Sequence, residues 1–223
     1  MKIDILTLFP NMFNGILDES IIKRAINSNK VEINIHNIRD YSKDLHKKVD
    51  DYSYGGGAGM VLMPQPIFDA VDALKEDGTK VILLTPQGEK YNQKLAHTFT
   101  SFKHIILICG HYEGFDERIR TLADYEISIG DYVLTGGEIA AMAIIDSTVR
   151  LLDGVINKAS HENDSFEDNL LDYPVYTHPE NFRGLKVPEV LLSGHHENIA
   201  KWRLEEKIKR TKNRRPDLLE KRD

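Results

Sequence analysis

A chain of 223 residues with 41% hydrophobic and 29% charged side chains has a globular balance and enough length to bury a core, which excludes a disordered chain, a collagen and a coiled coil. Its one cysteine, Cys109, excludes an intramolecular disulfide and a multi-cysteine zinc site. The net charge of −6 is unevenly spread: residues 201–223 carry a net +5 and the rest of the chain −11, so the dense positive field for a polyanion lies in the tail.

Met1-Lys2-Ile3-Asp4 breaks its apolar run with a charge, so no signal peptide is expected. No run approaches the ~18 apolar residues of a membrane span, and a soluble cytoplasmic protein is the expectation. Lys2–Phe9 predicts a buried strand ended by Pro10, and Ser20–Asn27 a helix. The alternation of Val31, Ile33 and Ile35 predicts a half-buried strand. Residues 40–60 break the pattern with charge, tyrosine and glycine. Pro66 is expected to open a helix with Ile67, Val71 and Leu74 on its apolar face. Lys80–Leu84 predicts a strand followed by a turn at Thr85–Gly88, then a helix over Gln93–Phe99. His104–Cys109 is a further buried strand, Asp116–Ala123 a short helix and Tyr125–Ile129 a strand. Gly130–Gly137 is a loop, and Glu138–Leu152, apolar on most sides, is a buried helix.

Strands alternating with helices give an α/β fold with a mainly parallel sheet, and ligands of such sheets sit beyond the carboxyl ends of the strands. Three strands end there in turn-rich segments: Thr85–Gly88, Gly110–Gly114 and Gly130–Gly137. Their convergence points to a small-molecule site. The polar string from Asn157 to Ser165 reads as an exposed connection. The expected organisation is therefore an α/β domain over 1–152, a flexible linker over 153–170 and a small helical basic domain over 171–223. Ile199, Trp202 and Ile208 would hold the last helix on one side, with Lys207, Lys209, Arg210, Lys212, Arg214 and Arg215 outward.

Tyr54-Gly55-Gly56-Gly57-Ala58-Gly59-Met60 lacks the lysine of a P-loop and the spacing of a dinucleotide fingerprint. It is either a flexible loop or a backbone surface that approaches a flat or phosphate-bearing ligand. His46, Lys47, Lys48, Tyr52 and Tyr54 flank it as candidate phosphate and stacking contacts. Gly110-His111-Tyr112-Glu113-Gly114 is either a tight turn or a ligand loop. His111 and Glu113 lack a third ligand, and neither His161-Glu162 nor His195-His196-Glu197 has zinc-protease spacing, so no metal site is expected from the histidines. Arg150 at a helix end complements the helix dipole, and Asp164 reads locally as a solvated charge.

Leu8-Phe9-Pro10, Val49-Asp50-Asp51, Tyr54–Met60, Thr85–Gly88, Cys109–Gly114 with Asp116-Glu117-Arg118, Ser128–Glu138, Asp164-Ser165-Phe166, Pro188–Gly194 and Trp202-Arg203-Leu204 run in order through nearly the whole chain. In these strings the chain resembles the bacterial tRNA (guanine-N1)-methyltransferases, a family of the SPOUT class with a trefoil-knotted fold. The resemblance implies transfer of a methyl group from S-adenosylmethionine to N1 of the guanosine immediately 3′ of the anticodon, position 37 in tRNA. It implies a homodimer with a shared active site, and no DNA or membrane partner. It places the cofactor at Thr85 and Pro86, at Gly110, Tyr112 and Glu113, and at Ile129, Gly130, Asp131, Tyr132, Val133, Leu134, Gly136 and Gly137. It makes Asp164 the general base and Arg150 the catalytic arginine. The tRNA is expected on Asp50, Gly55, Gly56, Gly57 and Gly59, and on Lys207, Arg210, Arg214 and Arg215. Magnesium is a further cofactor that the resemblance raises, at Glu113 or Asp164, although the sequence shows no cage of ligands. The chain departs from the family pattern at Ala58, where relatives often have proline, and at His111, where many have arginine. A non-catalytic RNA-binding protein and a knotted methyltransferase of ribosomal RNA are the rival readings; the first leaves the three ligand-type loops unexplained.

Overall fold

The computed structural model describes residues 1–161 and 163–220. Glu162 of the polar string and Lys221, Arg222 and Asp223 of the basic tail lie outside the described residues. The chain divides after Ile156 into two compact units.

The first unit runs β1 (Lys2–Thr7), α1 (Asn14–Leu17), α2 (Ser20–Asn27), β2 (Glu32–Asn37), β3 (Asp50–Asp51), β4 (Val61–Leu62), α3 (Pro64–Leu74), β5 (Lys80–Lys90), α4 (Gln93–Thr100), β6 (His104–Cys109), β7 (Tyr125–Ser128) and α5 (Glu138–Val149). Five strands pair in the order β2-β1-β6-β5-β7, every pair parallel. Side chains alternate across the sheet. Ile3, Ile5, Ile82, Ile105, Leu107 and Cys109 pack with α2, α4 and α5 on one face. Leu6, Val81, Leu83, Ile106 and Ile108 pack with Ile67, Ala70 and Val71 of α3 on the other. Burial on both faces is why the central strands read as unbroken apolar runs, each such side chain contributing roughly 1.5–3 kcal/mol.

Besides strand and helix ends that fall one to three residues early, as at Thr7 and Val149, three elements differ from the sequence expectation. The helix α3 opens at Pro64, two residues before Pro66. Both prolines fall in the first turn, where backbone N–H groups have no helical partner to lose. The segment Glu117–Leu122 is a 3-10 turn, opened by the Asp116 side chain accepting from the Arg118 N–H (3.0 Å). Thr85–Gly88 does not end its strand. The chain leaves β5 after Leu84 and rejoins at Glu89, and both of those residues register with Ile127 of β7.

One polar cluster crosses this core. Asp4 on β1 is fully buried, with His36 Nε2 at 2.9 Å and His104 Nε2 at 2.7 Å. Burial alone would raise the Asp4 pKa. Hydrogen bonds from His36, His104 and Asn34 and the charge of Lys2 together hold it below the ordinary carboxylate value.

The second unit contains α6 (Lys158–His161), β8 (Asn181–Phe182), β9 (Leu185–Lys186), α7 (Glu189–Leu192), α8 (His196–Arg214) and α9 (Asp217–Glu220). Trp202 and Ile208 are half-buried. Lys207 corrects the expectation of an outward cation: it is buried, and its Nζ donates to Asp168 at 2.7 Å. Its neighbour one turn on, Thr211, is buried too and accepts from the Leu171 N–H at 2.9 Å. The segment around Asp168–Leu171 thus covers the face of α8 that carries Lys207, and an unpaired ammonium there would be strongly unfavourable.

Candidate active-site cleft

Strands β5, β6 and β7 lie side by side; the Thr85–Gly88 excursion interrupts β5 and the other two turn-rich segments follow β6 and β7, so the parallel direction of the strands delivers all three to one edge of the sheet. The segments enclose a cleft of ≈ 370 Å³, within the range of small-ligand sites. Thr85 and Pro86 line it from the β5 excursion; Gly110, Tyr112 and Glu113 line it from the segment after β6. Ile129, Gly130, Tyr132, Val133, Leu134, Gly136 and Gly137 line it from the segment after β7. Asp131 is not brought there: its carboxylate is exposed and pairs with Lys90 at 3.2 Å.

Backbone packing shapes the cleft. The Gly137 N–H donates to the Gly110 carbonyl at 2.8 Å. A Cβ on Gly137 would stand 2.8 Å from Cys109 Cα and 2.9 Å from Gly110 N, so only glycine permits this approach of two main chains. Beneath it, Glu138 is buried and accepts from the Thr7 hydroxyl at 2.7 Å. Burial pushes the Cys109 thiol well above its usual pKa and the nearby Glu138 charge adds to this, so the sulfur packs as a protonated, unreactive group. His111 lies between Phe9 and Tyr112, tilted against the first ring and edge-to-face with the second, with centroids 4.7 and 5.2 Å away. Its Nδ1 is buried with no hydrogen-bond partner among the described residues.

The glycine-rich loop is stitched to the same wall. Glu113 N–H donates to the Met60 carbonyl (3.0 Å) and Leu62 N–H to the Gly114 carbonyl (2.9 Å). Gly55, Gly56, Gly57 and Gly59 all adopt positive φ in an exposed turn, with Tyr52 and Tyr54 exposed beside them. Lys47 and Lys48 are engaged by Asp40 and Asp51. Asp50 sits on β3, paired in register with Leu62. Arg150 follows α5 directly and does not line the cleft. Asp164 belongs to the second unit, half-buried, with its N–H donating to the His161 carbonyl (3.1 Å). In the tail, Arg214 is exposed, Arg210 reaches the Asp172 carbonyl (3.4 Å), and Arg215 grips Asp217 through two bonds of 2.9 and 2.7 Å.

The cleft also draws in residues outside the expected cofactor set: Gln87, Phe115, Glu117, Arg120, Ser128 and Thr135. Gln87, Glu117, Ser128 and Thr135 lie inside the motifs Thr85–Gly88, Asp116-Glu117-Arg118 and Ser128–Glu138, which is a usable signal. Arg120 and Phe115 carried none. Among the described residues no three His, Cys, Asp or Glu side chains converge as a metal site, and no helix is long and apolar enough to cross a membrane.

The family described as tRNA (Guanine-1)-methyltransferase TrmD matches residues 1–221. The chain belongs to this family. It is similar to proteins named tRNA (guanine-N(1)-)-methyltransferase from three bacteria. It is 62% identical over 218 residues to that of Malacoplasma penetrans, which spans 98% of this chain and 96% of the relative. For Geobacillus kaustophilus the identity is 59% over 224 residues, 99% and 92% of the two chains. For Halalkalibacterium halodurans it is 58% over 225 residues, again 99% and 92%. The protein is accordingly an enzyme of a methyltransferase family, and its parallel sheet with a helical C-terminal region agrees with that membership.

Proposed function

We propose that this enzyme transfers the methyl group of S-adenosylmethionine to N1 of the guanosine at position 37 of tRNA, with the donor held in the cleft between the three segments. The observation that carries the reading is the convergence of those segments, in a member of this family, on a cleft of nucleoside size. The residues present fit such a donor. Main-chain groups of Gly110, Gly130 and Gly136 offer edges to a heterocycle, Phe115 and Leu134 an apolar wall, and Glu113 and Glu117 negative charge for a cationic ligand. When bound there, S-adenosylmethionine supplies a methyl group on a positively charged sulfur.

Guanine N1 is a poor nucleophile because it carries a proton and its lone pair is delocalised. A carboxylate at Asp164 takes that proton, a contribution of ~10²–10⁴-fold for general-base catalysis. The charge then moves toward O6, where the Arg150 guanidinium stabilises it. Asp50 and the backbone of Gly55, Gly56, Gly57 and Gly59 hold the nucleic acid, and Arg210, Arg214 and Arg215 meet its phosphates. The target base leaves its stack to reach the cleft. The reading includes a homodimer sharing its active sites, supported by the exposure of Tyr132, Val133 and Ile139 beside the cleft. It also includes the family's trefoil knot and a cytoplasmic location.

The test is transfer of labelled methyl from S-adenosylmethionine to tRNA transcripts carrying G or A at position 37, with the product base identified by mass spectrometry. N1-methylguanine at position 37, absent from the A37 transcript, is expected. Label elsewhere, or none, would overturn the reading.

A further inference from the structure

Gln87 stands on the Thr85–Gly88 excursion, which leaves and rejoins the same strand partner. One end of the excursion is fixed by main-chain packing: a Cβ on Gly88 would lie 2.4 Å from Ile127 N and from Glu126 C. The Gln87 side chain is exposed, so its direction depends on whatever grips it. Arg120 does so, its Nη2 donating to Gln87 Oε1 at 2.5 Å. The guanidinium is itself held from two other directions. Its Nε donates to Glu117 Oε2 at 3.0 Å and its Nη1 to the Glu126 carboxylate. Arg120 is only 20% exposed and bridges three segments: the excursion, the 3-10 turn and β7.

A guanidinium can donate but not accept. Gln87 must therefore turn its amide oxygen to Arg120 and its NH₂ away. Gln87, Glu117 and Arg120 all line the cleft. We propose that Arg120 is a positioning residue that presents the Gln87 NH₂ to an acceptor on the nucleoside part of the cofactor, a ring nitrogen or a ribose oxygen. This rests on the reading of the cleft as the S-adenosylmethionine site. Without Arg120 the amide is free to flip, and each flip offers the ligand an oxygen where it needs a donor.

Gln87→Glu separates this role from a merely structural one. Glutamate keeps the contact to Arg120 and strengthens it by charge, but it has no NH₂. The KM for S-adenosylmethionine should rise about tenfold in Gln87→Glu, the effect of removing one hydrogen bond and leaving its partner unsatisfied. At saturating tRNA, kcat should change less than KM, and Tm should hold or rise. Arg120→Met should raise the same KM by a similar factor, and the double variant should be no worse than either single one. A Gln87→Glu enzyme with wild-type KM would overturn the proposal, whatever Arg120→Met does to folding. If the wild-type chain bound no S-adenosylmethionine by calorimetry, the assignment of the cleft itself would fall, and the proposal with it.

Discussion

Among the described residues, all the buried hydrophobic side chains but Leu170 belong to the unit that ends at Ile156; beyond it, half-buried side chains such as Trp202 and Ile208 join polar contacts such as Lys207 to Asp168 and Leu171 to Thr211. The first unit is a sheet packed on both faces, and a cleft built on it is fixed to the precision of its strands. The second is a long helix with a polar strap, able to rearrange at small cost in buried area. The difference suits the proposed division of labour, in which the first unit holds the small molecule and the second adds basic contacts to the nucleic acid.

The comparison is broken most severely at Gly137. Gly137→Val would drive a branched side chain into the main chain of Cys109 and Gly110, which cannot move without shifting β6. Both S-adenosylmethionine binding and methyl transfer should be lost, as calorimetry and the transfer assay would show, and overpacking should destabilise the unit by ~1–3 kcal/mol. The counterpart in the second unit is Arg210→Gln with Arg214→Gln. That change should weaken tRNA binding and lower its salt slope by ~0.7–0.9 for each phosphate no longer neutralised, while cofactor affinity stays put. Titrations at several salt concentrations read both quantities.

Smaller effects sharpen the comparison. Lys207→Met replaces a buried cation by an apolar side chain and leaves Asp168 half-exposed. A loss of about 1 kcal/mol is expected, confined to the second unit in hydrogen exchange. The smallest effect is pH-dependent. Asp4 has its folded pKa held below the unfolded value, so its contribution is present above the ordinary carboxylate pKa and is lost as pH falls through the lower, folded one. Denaturation curves of Asp4→Asn should therefore show lower stability at neutral pH and a shallower loss below about pH 4.

The first unit was the more legible in the sequence, for a physical reason. Strands buried on both faces must be apolar throughout, so His104–Cys109 announces itself, and glycines mark where the segments after β6 and β7 approach each other. The return of β5 after Gly88 has no such mark, because pairing of Glu89 and Lys90 with β7 depends on backbone register and not on side-chain pattern. Lys207 misleads for a related reason: a charge count sees a cation, and only the partner Asp168, far off in sequence, turns it inward. Arg120 was equally silent, since its three partners come from three segments.

The division of labour itself is tested by Asp164→Ala, measured for cofactor affinity and for single-turnover methyl transfer in the same preparation. The account predicts near wild-type affinity for S-adenosylmethionine and transfer reduced by ~10²–10⁴-fold. Transfer at the wild-type rate, or loss of cofactor affinity together with transfer, would contradict it.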